Sequence, residues 1–139
     1  MYNGYEQYQR ANVTSASPGT LIVLLYGELL RCLSVARDAQ LQSDLATRYK
    51  HISKSIMILT ELMVSLNVDE GGDIAWNLVR LYEYISKRIL SASRSTTTEP
   101  FDEAIQLLTP LRDAWETIAA PAKQEPELVE VGMAQPVVV

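Results

Sequence analysis

One cysteine, one histidine and one phenylalanine in 139 residues remove whole classes of chemistry from this chain. A single thiol, Cys32, forms no internal disulfide and no multi-cysteine metal site. It falls on the apolar stripe of a predicted helix, where it reads as a small buried hydrophobe. The lone His51 has no second His, Cys or acid at ligand spacing, and Lys50 and Lys54 flank it. The Glu-x-x-His pairs that di-iron bundles use do not occur. Without a supported base, the Ser and Thr hydroxyls and the one thiol have nothing to activate them as nucleophiles. Gly71-Gly72 lacks the preceding strand and the Lys or further Gly of a phosphate loop, and reads as a turn with a helix start. The acid pairs Asp69/Glu70 and Asp102/Glu103 lie at helix starts, where they complement the helix dipole. The sequence predicts no enzyme, no cofactor and no metal.

A basic face is missing too. Twelve Lys and Arg against 17 Asp and Glu give a net charge of −5, and Arg31, Arg37, Arg48, Lys50 and Lys54 are interspersed with acids. That excludes the clustered positive footprint a nucleic acid needs. The start of the chain is polar and aromatic rather than basic then apolar, so no signal peptide is read. No uninterrupted apolar run is long enough to span a bilayer, so the expected location is cytoplasmic, without stable membrane insertion. Asn12-Val13-Thr14 spells a glycosylation sequon only, since nothing routes the chain to a secretory compartment. Six glycines and six prolines, most of them between periodic runs, favour helices with short connections.

What is present is helical periodicity. Ser17-Pro18 places Ser at an N-cap and Pro in the first turn. A helix then runs from Pro18 to about Leu41, with Ile22, Leu25, Leu29, Cys32, Ala36 and Ala39 inward. Gly27, inside it, costs about 1 kcal/mol against Ala and suggests a close backbone approach or a tolerated defect. A second helix runs from Asp44 to about Asn67 on the stripe Leu45, Tyr49, Ile52, Ile56, Leu59, Met63 and Leu66. After a turn at Asn67–Gly72, a third helix is capped by Asp73 and continues to about Ser93. Its inner face is read as Ile74, Leu78, Leu81, Ile85, Ile89 and Ala92. A fourth starts at Thr98 or Glu99 and carries Phe101, Ala104, Ile105, Leu108, Leu111, Trp115 and Ile118, with a kink rather than a break expected at Pro110. The fold class is all-α: an antiparallel up-down-up-down four-helix bundle over residues 17–120. A mobile N-terminal arm, residues 1–16, bears Tyr2, Tyr5 and Tyr8. The segment 121–139, with no helical period, is read as a disordered tail.

The second and third helices carry more apolar surface than one core needs. Around Ile56–Val64 apolar residues occur nearly all the way round, which leaves Ile58 and Leu62 seeking a partner. On the third helix Ala75, Val79 and Tyr82 flank the inner stripe, and Trp76 lies further round. This surplus predicts an interaction protein. A structural or regulatory helical homodimer or adaptor is the alternative.

Three stretches resemble one family. Val13-Thr14-Ser15-Ala16-Ser17-Pro18-Gly19-Thr20 with Leu21–Tyr26 is similar to the start of the first helix of the flagellar secretion chaperones, which bind flagellin. Thr60–Asn67, then Gly71–Leu78 and Leu81-Tyr82-Glu83-Tyr84, resemble its central signature. Leu107-Leu108 and Leu111-Arg112-Asp113-Ala114-Trp115 resemble its last helix. The order Gly27-Glu28 departs from the family's acid-then-Gly, and Pro110 is unusual. The resemblance implies a cytoplasmic four-helix chaperone for the C-terminal segment of flagellin, which prevents premature polymerisation and presents the client to the flagellar type III export gate. It implies that the N-terminal arm caps the client groove and contributes to the gate contact, through Tyr5 and Tyr8. The flagellin-binding side chains on the helices are then expected to be Ile58, Leu62, Ala75, Trp76, Val79 and Tyr82. Self-association is a further expected partner mode.

Overall fold

A computed structural model describes residues 18–131, and side chains over 19–119. The expected arm, with Tyr5 and Tyr8, and the Ser17 cap lie outside the described residues. Among those residues the chain is all-helical: α1 (Pro18–Leu41), α2 (Leu45–Ser65), α3 (Val68–Ser91), a 3₁₀ turn at Ala92–Arg94 and α4 (Glu99–Val131), with no strand. By internal contacts the chain divides into two compact units. One is Leu25–Pro110. The other joins the chain up to Leu24 with the chain from Leu111 onward, and within it a methyl group on Gly19 would sit 3.5 Å from the Cβ of Ala119.

Local chemistry sets the boundaries. Asp44 caps α2 by accepting a hydrogen bond from the Thr47 amide at 3.2 Å. Asn67 does the same for α3 through the Glu70 amide, so α3 begins five residues before the expected Asp73. The helix does not run straight from there. Gly72 has φ 58° and ψ −133°, a conformation that L side chains rarely adopt, and it kinks the chain between a first turn and the main helix. Thr98 opens α4: its carbonyl accepts from the Asp102 amide, and its hydroxyl donates to the Asp102 carboxylate at 2.9 Å.

In the long helices, a methyl group on Gly27 would meet nothing within 4 Å, so of the two readings Gly27 is the tolerated defect. α4 passes through Pro110 and continues to Val131, beyond the boundary at 121 where the sequence places the tail. Pro110 and Gln106, whose carbonyl loses its partner, are both exposed, so water replaces the missing amide. Beyond Ala120 the residues Lys123, Gln124, Glu127 and Leu128 are good helix formers, which offsets Pro121 and Pro126. By length and composition Gly19–Leu41 is apolar enough to cross a membrane, although Glu28, Arg31, Arg37 and Asp38 interrupt it. Eight of its residues (Leu25, Tyr26, Leu29, Cys32, Leu33, Ala36, Ala39 and Gln40) are nonetheless buried inside the protein, as in a core helix.

Within the Leu25–Pro110 unit, named pairs join the helices. The Tyr26 and Tyr82 hydroxyls hydrogen-bond in the interior, linking α1 to α3. Glu28 of α1 binds Lys54 of α2 at 2.8 Å. Glu103 of α4 accepts from Tyr84 and Arg88 of α3, each at 2.6 Å. Gln40, at the end of α1, is buried and donates to the carbonyls of Ala92, Ser95 and Thr97 while accepting from Arg48 at 2.7 Å. The core around these pairs is Leu25, Leu29, Leu33, Ile58, Leu59, Leu62, Ile85, Ile89, Phe101 and Leu108.

Candidate functional site

The rotation of α2 and α3 about their own axes decides which apolar side chains remain outside. On α2 the buried arc is Ile52, Ser55, Ile58, Leu59 and Leu62, and Ser55 tolerates burial because its hydroxyl donates to the His51 carbonyl. Leu45 and Tyr49, expected inward, are 61% and 70% exposed. On α3 the buried arc is Ala75, Tyr82, Ile85 and Ile89, whereas Ile74, expected inward, is 73% exposed. The reason lies in two contacts. Tyr82 can turn inward because Tyr26 satisfies its hydroxyl. Ala75 sits against the bend, where a Cβ on Gly71 would come within 2.7 Å of its own.

Four of the expected binding residues lie beneath that surface. Ile58, Leu62, Ala75 and Tyr82 lie in the interior, at 0%, 1%, 4% and 2% exposure, and present no surface. Trp76 is half exposed and Val79 partly so, and these two remain on the outside. They belong to a longer stripe on α3: Trp76, Val79, Glu83, Ser86 and Leu90 step by three and four. The facing stripe of α2 is Tyr49, Ser53, Ile56, Thr60 and Met63. All ten are exposed or half-buried. At one end the stripes enclose an apolar groove of about 280 Å³, lined by Arg48, Tyr49, Ile52, Ser53, Ile56, Leu90 and Ser93. Arg48 Nε, buried there, has no acceptor among the described residues. Toward the α2–α3 connection, Val64 is 74% exposed near the end of α2. The sequence pattern hides this groove, because helical spacing puts Tyr49 and Ile56 on the inward stripe of α2 and leaves Leu90 off the stripes of α3.

The ionisable groups are occupied with structure. Glu28 accepts from Arg31 at 2.6 and 3.0 Å and from Lys54, and these bonds, Arg31's foremost, hold its carboxyl at about 2, against a desolvation that opposes them. Burial pushes the Cys32 thiol up to about 11, so it is an inert core residue, as read from its stripe. His51 is half-buried and its Nδ1 donates to the Thr47 carbonyl at 2.9 Å. No group of three or more potential metal ligands occurs among the described residues. The polar cleft of Tyr84, Arg88, Glu99, Asp102, Glu103 and Gln106 is organised by the Glu103 hydrogen bonds, Tyr84's first, which lower its carboxyl.

Among the described residues the chain is all-helical, and apolar side chains stay uncovered along α2 and α3. The family model described as flagellar protein FliS matches residues 1–122, and the chain belongs to that family. It is a family of flagellar chaperones rather than enzymes. Among curated proteins there is no match.

Proposed function

We propose that this protein is a cytoplasmic export chaperone that binds the C-terminal segment of flagellin, keeps it from polymerising early and delivers it to the flagellar type III export apparatus. Family membership supports the reading, and the observation that carries it is the uncovered apolar face of α2 and α3. A client segment with its own apolar side chains covers such a face by helix-in-groove or extended contact. Trp76 and Val79 touch the client in this reading, joined by Val64 and Met63. Ile58, Leu62, Ala75 and Tyr82 act from beneath, by fixing the shape of the face. Ordering the client costs several kcal/mol, so a long wrapped contact is needed for useful affinity.

The four helices are inferred to form an antiparallel up-down-up-down bundle. The pairs Glu28–Lys54, Tyr26–Tyr82, Gln40–Ala92 and Arg88–Glu103 support that order. The arm residues Tyr5 and Tyr8 are proposed to cap the client face and to meet the export gate.

The test is a titration with the C-terminal segment of the same organism's flagellin. Binding at micromolar concentration, weakened about tenfold or more by Trp76→Ala or Val79→Asp with helical content intact, is the expected result. No binding at that concentration overturns the reading.

A further inference from the structure

We infer that the groove between the start of α2 and the end of α3 is an anchor site for an acidic peptide segment. The segment seats a large apolar side chain in the groove and sets its carboxylates against the cations around it. The apolar lining is Tyr49, Ile52 and Ile56 of α2 with Leu90 of α3, and Tyr49 and Leu90 stay 70% and 49% exposed. The volume of about 280 Å³ lies below the range of cofactor and metabolite pockets and suits one or two side chains of a peptide.

Arg48 holds the groove in shape. It donates to Gln40 Oε1 at 2.7 Å and to the Ser93 carbonyl at 3.4 Å, which ties the start of α2 to the end of α1 and to the α3–α4 connection. The site is therefore built before anything enters it, and little ordering is left to oppose binding. A guanidinium has five N–H donors, and among the described residues the side chain of Arg48 uses two. Its Nε is buried without an acceptor. A carboxylate at this end of the groove therefore has strong donors left to take.

The surroundings carry the sign. Lys50 follows Tyr49 in the chain, Lys87 lies one turn before Leu90 on α3, and Arg94 follows Ser93; all three are exposed. None of them makes an ion pair among the described residues. The acids are placed elsewhere: Asp44 is engaged as the α2 cap, and Glu83 stands two turns of α3 from Leu90. In a chain of net charge −5, this is a local excess of unpaired positive charge beside apolar surface. An acidic segment with an apolar side chain answers both features, and a neutral apolar segment answers one. An anionic membrane would set the acidic remainder of the chain against like charge, whereas a short segment touches this end alone. Leu90 and Trp76 are separated by 14 residues of α3 (90 − 76), about 21 Å by helix rise. The groove is thus a second station on the outward face, and it stands whether or not the Trp76 end takes flagellin.

The experiment is an NMR titration of the isotope-labelled full chain with two capped synthetic peptides of about twelve residues, each bearing Phe and Leu one helical turn apart. One is otherwise Ala and Glu, the other Ala and Lys. The Glu peptide should bind with a dissociation constant below about 1 mM and the Lys peptide about tenfold or more weakly, with shifts centred on Tyr49, Ile52, Ile56 and Leu90. Lys87→Glu combined with Arg94→Glu should invert that preference. Both positions are exposed, and circular dichroism verifies that the helices persist. Trp76→Ala should change neither constant by more than about twofold. No binding at about 1 mM overturns the proposal, as do equal binding of the two peptides, a preference that survives the reversal, or shifts centred on Trp76 and Val79. Cosedimentation with phosphatidylglycerol vesicles, abolished by the same reversal, assigns the cations to a lipid surface and overturns it as well. Flagellin binding is measured separately, so the two readings fail independently.

Discussion

Replacing Gly71 by alanine puts a methyl carbon 2.7 Å from the Cβ of Ala75, well inside the 3.5–4.0 Å at which carbons attract. Ala75 is 4% exposed, so it cannot retreat outward. Overpacking of this kind costs about 1–3 kcal/mol. The reduced freedom of the unfolded chain returns about 0.4–1 kcal/mol. The net loss is about 1–2 kcal/mol, or about 3–7 °C in Tm at the entropy typical of a chain this long. Gly72→Ala loses stability by another route. No atom would crowd its Cβ, but φ 58° with ψ −133° strains any L side chain, at about 1–3 kcal/mol. The two glycines are separated by a double-mutant cycle read in urea unfolding followed at 222 nm. Ala75→Gly, itself worth about 0.5–1 kcal/mol of lost helix preference, should rescue Gly71→Ala and leave Gly72→Ala unrelieved. If Gly71→Ala unfolds at the parent's midpoint, or if Ala75→Gly rescues both variants equally, the steric account of the bend is wrong.

Gly27→Ala adds a methyl group with no neighbour inside 4 Å and should stabilise the protein by about 1 kcal/mol, seen as a raised urea midpoint. Glu28→Gln should cost about 1–2 kcal/mol at pH 7, once solvent screening of its partly exposed ion pairs is allowed for. Because the folded carboxyl is lowered from 4.5 to about 2, that contribution is complete above about pH 4.5 and disappears as pH falls toward 2; the gap between parent and variant midpoints should close over that window. Gln40→Leu removes the donor shared by the carbonyls of Ala92, Ser95 and Thr97 and the acceptor of Arg48, and should cost about 1–3 kcal/mol in the same assay. Leu62→Asp, at 1% exposure, should abolish cooperative unfolding by burying an unpaired charge, whereas Val79→Asp keeps the fold.

Periodicity alone located the helices, because a stripe of step three and four is a property of the chain. The α1 core of Leu25, Leu29, Cys32, Ala36 and Ala39 follows directly from it. The caps were partly legible: Asp44 was placed at the start of its helix, while Asn67 was passed over although Glu70 three residues on completes a capping pattern. The faces of α3 were not legible. Helical spacing puts Ile74 on the inner stripe and Tyr82 on its flank, and nothing in a helical wheel shows that Tyr26 on another helix waits to take the Tyr82 hydroxyl. The same holds for the site. The two helices that bear it were found from their apolar surplus, but the choice of Ile58, Leu62, Ala75 and Tyr82 needed a rotation angle that only tertiary contacts supply. The helical extension beyond Ala120 was missed for the opposite reason, since Pro121 and Pro126 weigh heavily in a local reading.

The Gln40 amide holds three successive stations of the α3–α4 connection from another helix. Such a segment, rich in Ser and Thr and largely exposed, would ordinarily be where a protease nicks first and where inserted residues do least harm. Here its path is dictated by Gln40 of α1, 52 to 57 residues earlier in the chain. A residue added between Ala92 and Thr97 would move at least one carbonyl off the amide, so the length of this connection and the identity of residue 40 are constrained to change together. Limited proteolysis of Gln40→Leu should accordingly open the 92–98 segment before any helix melts.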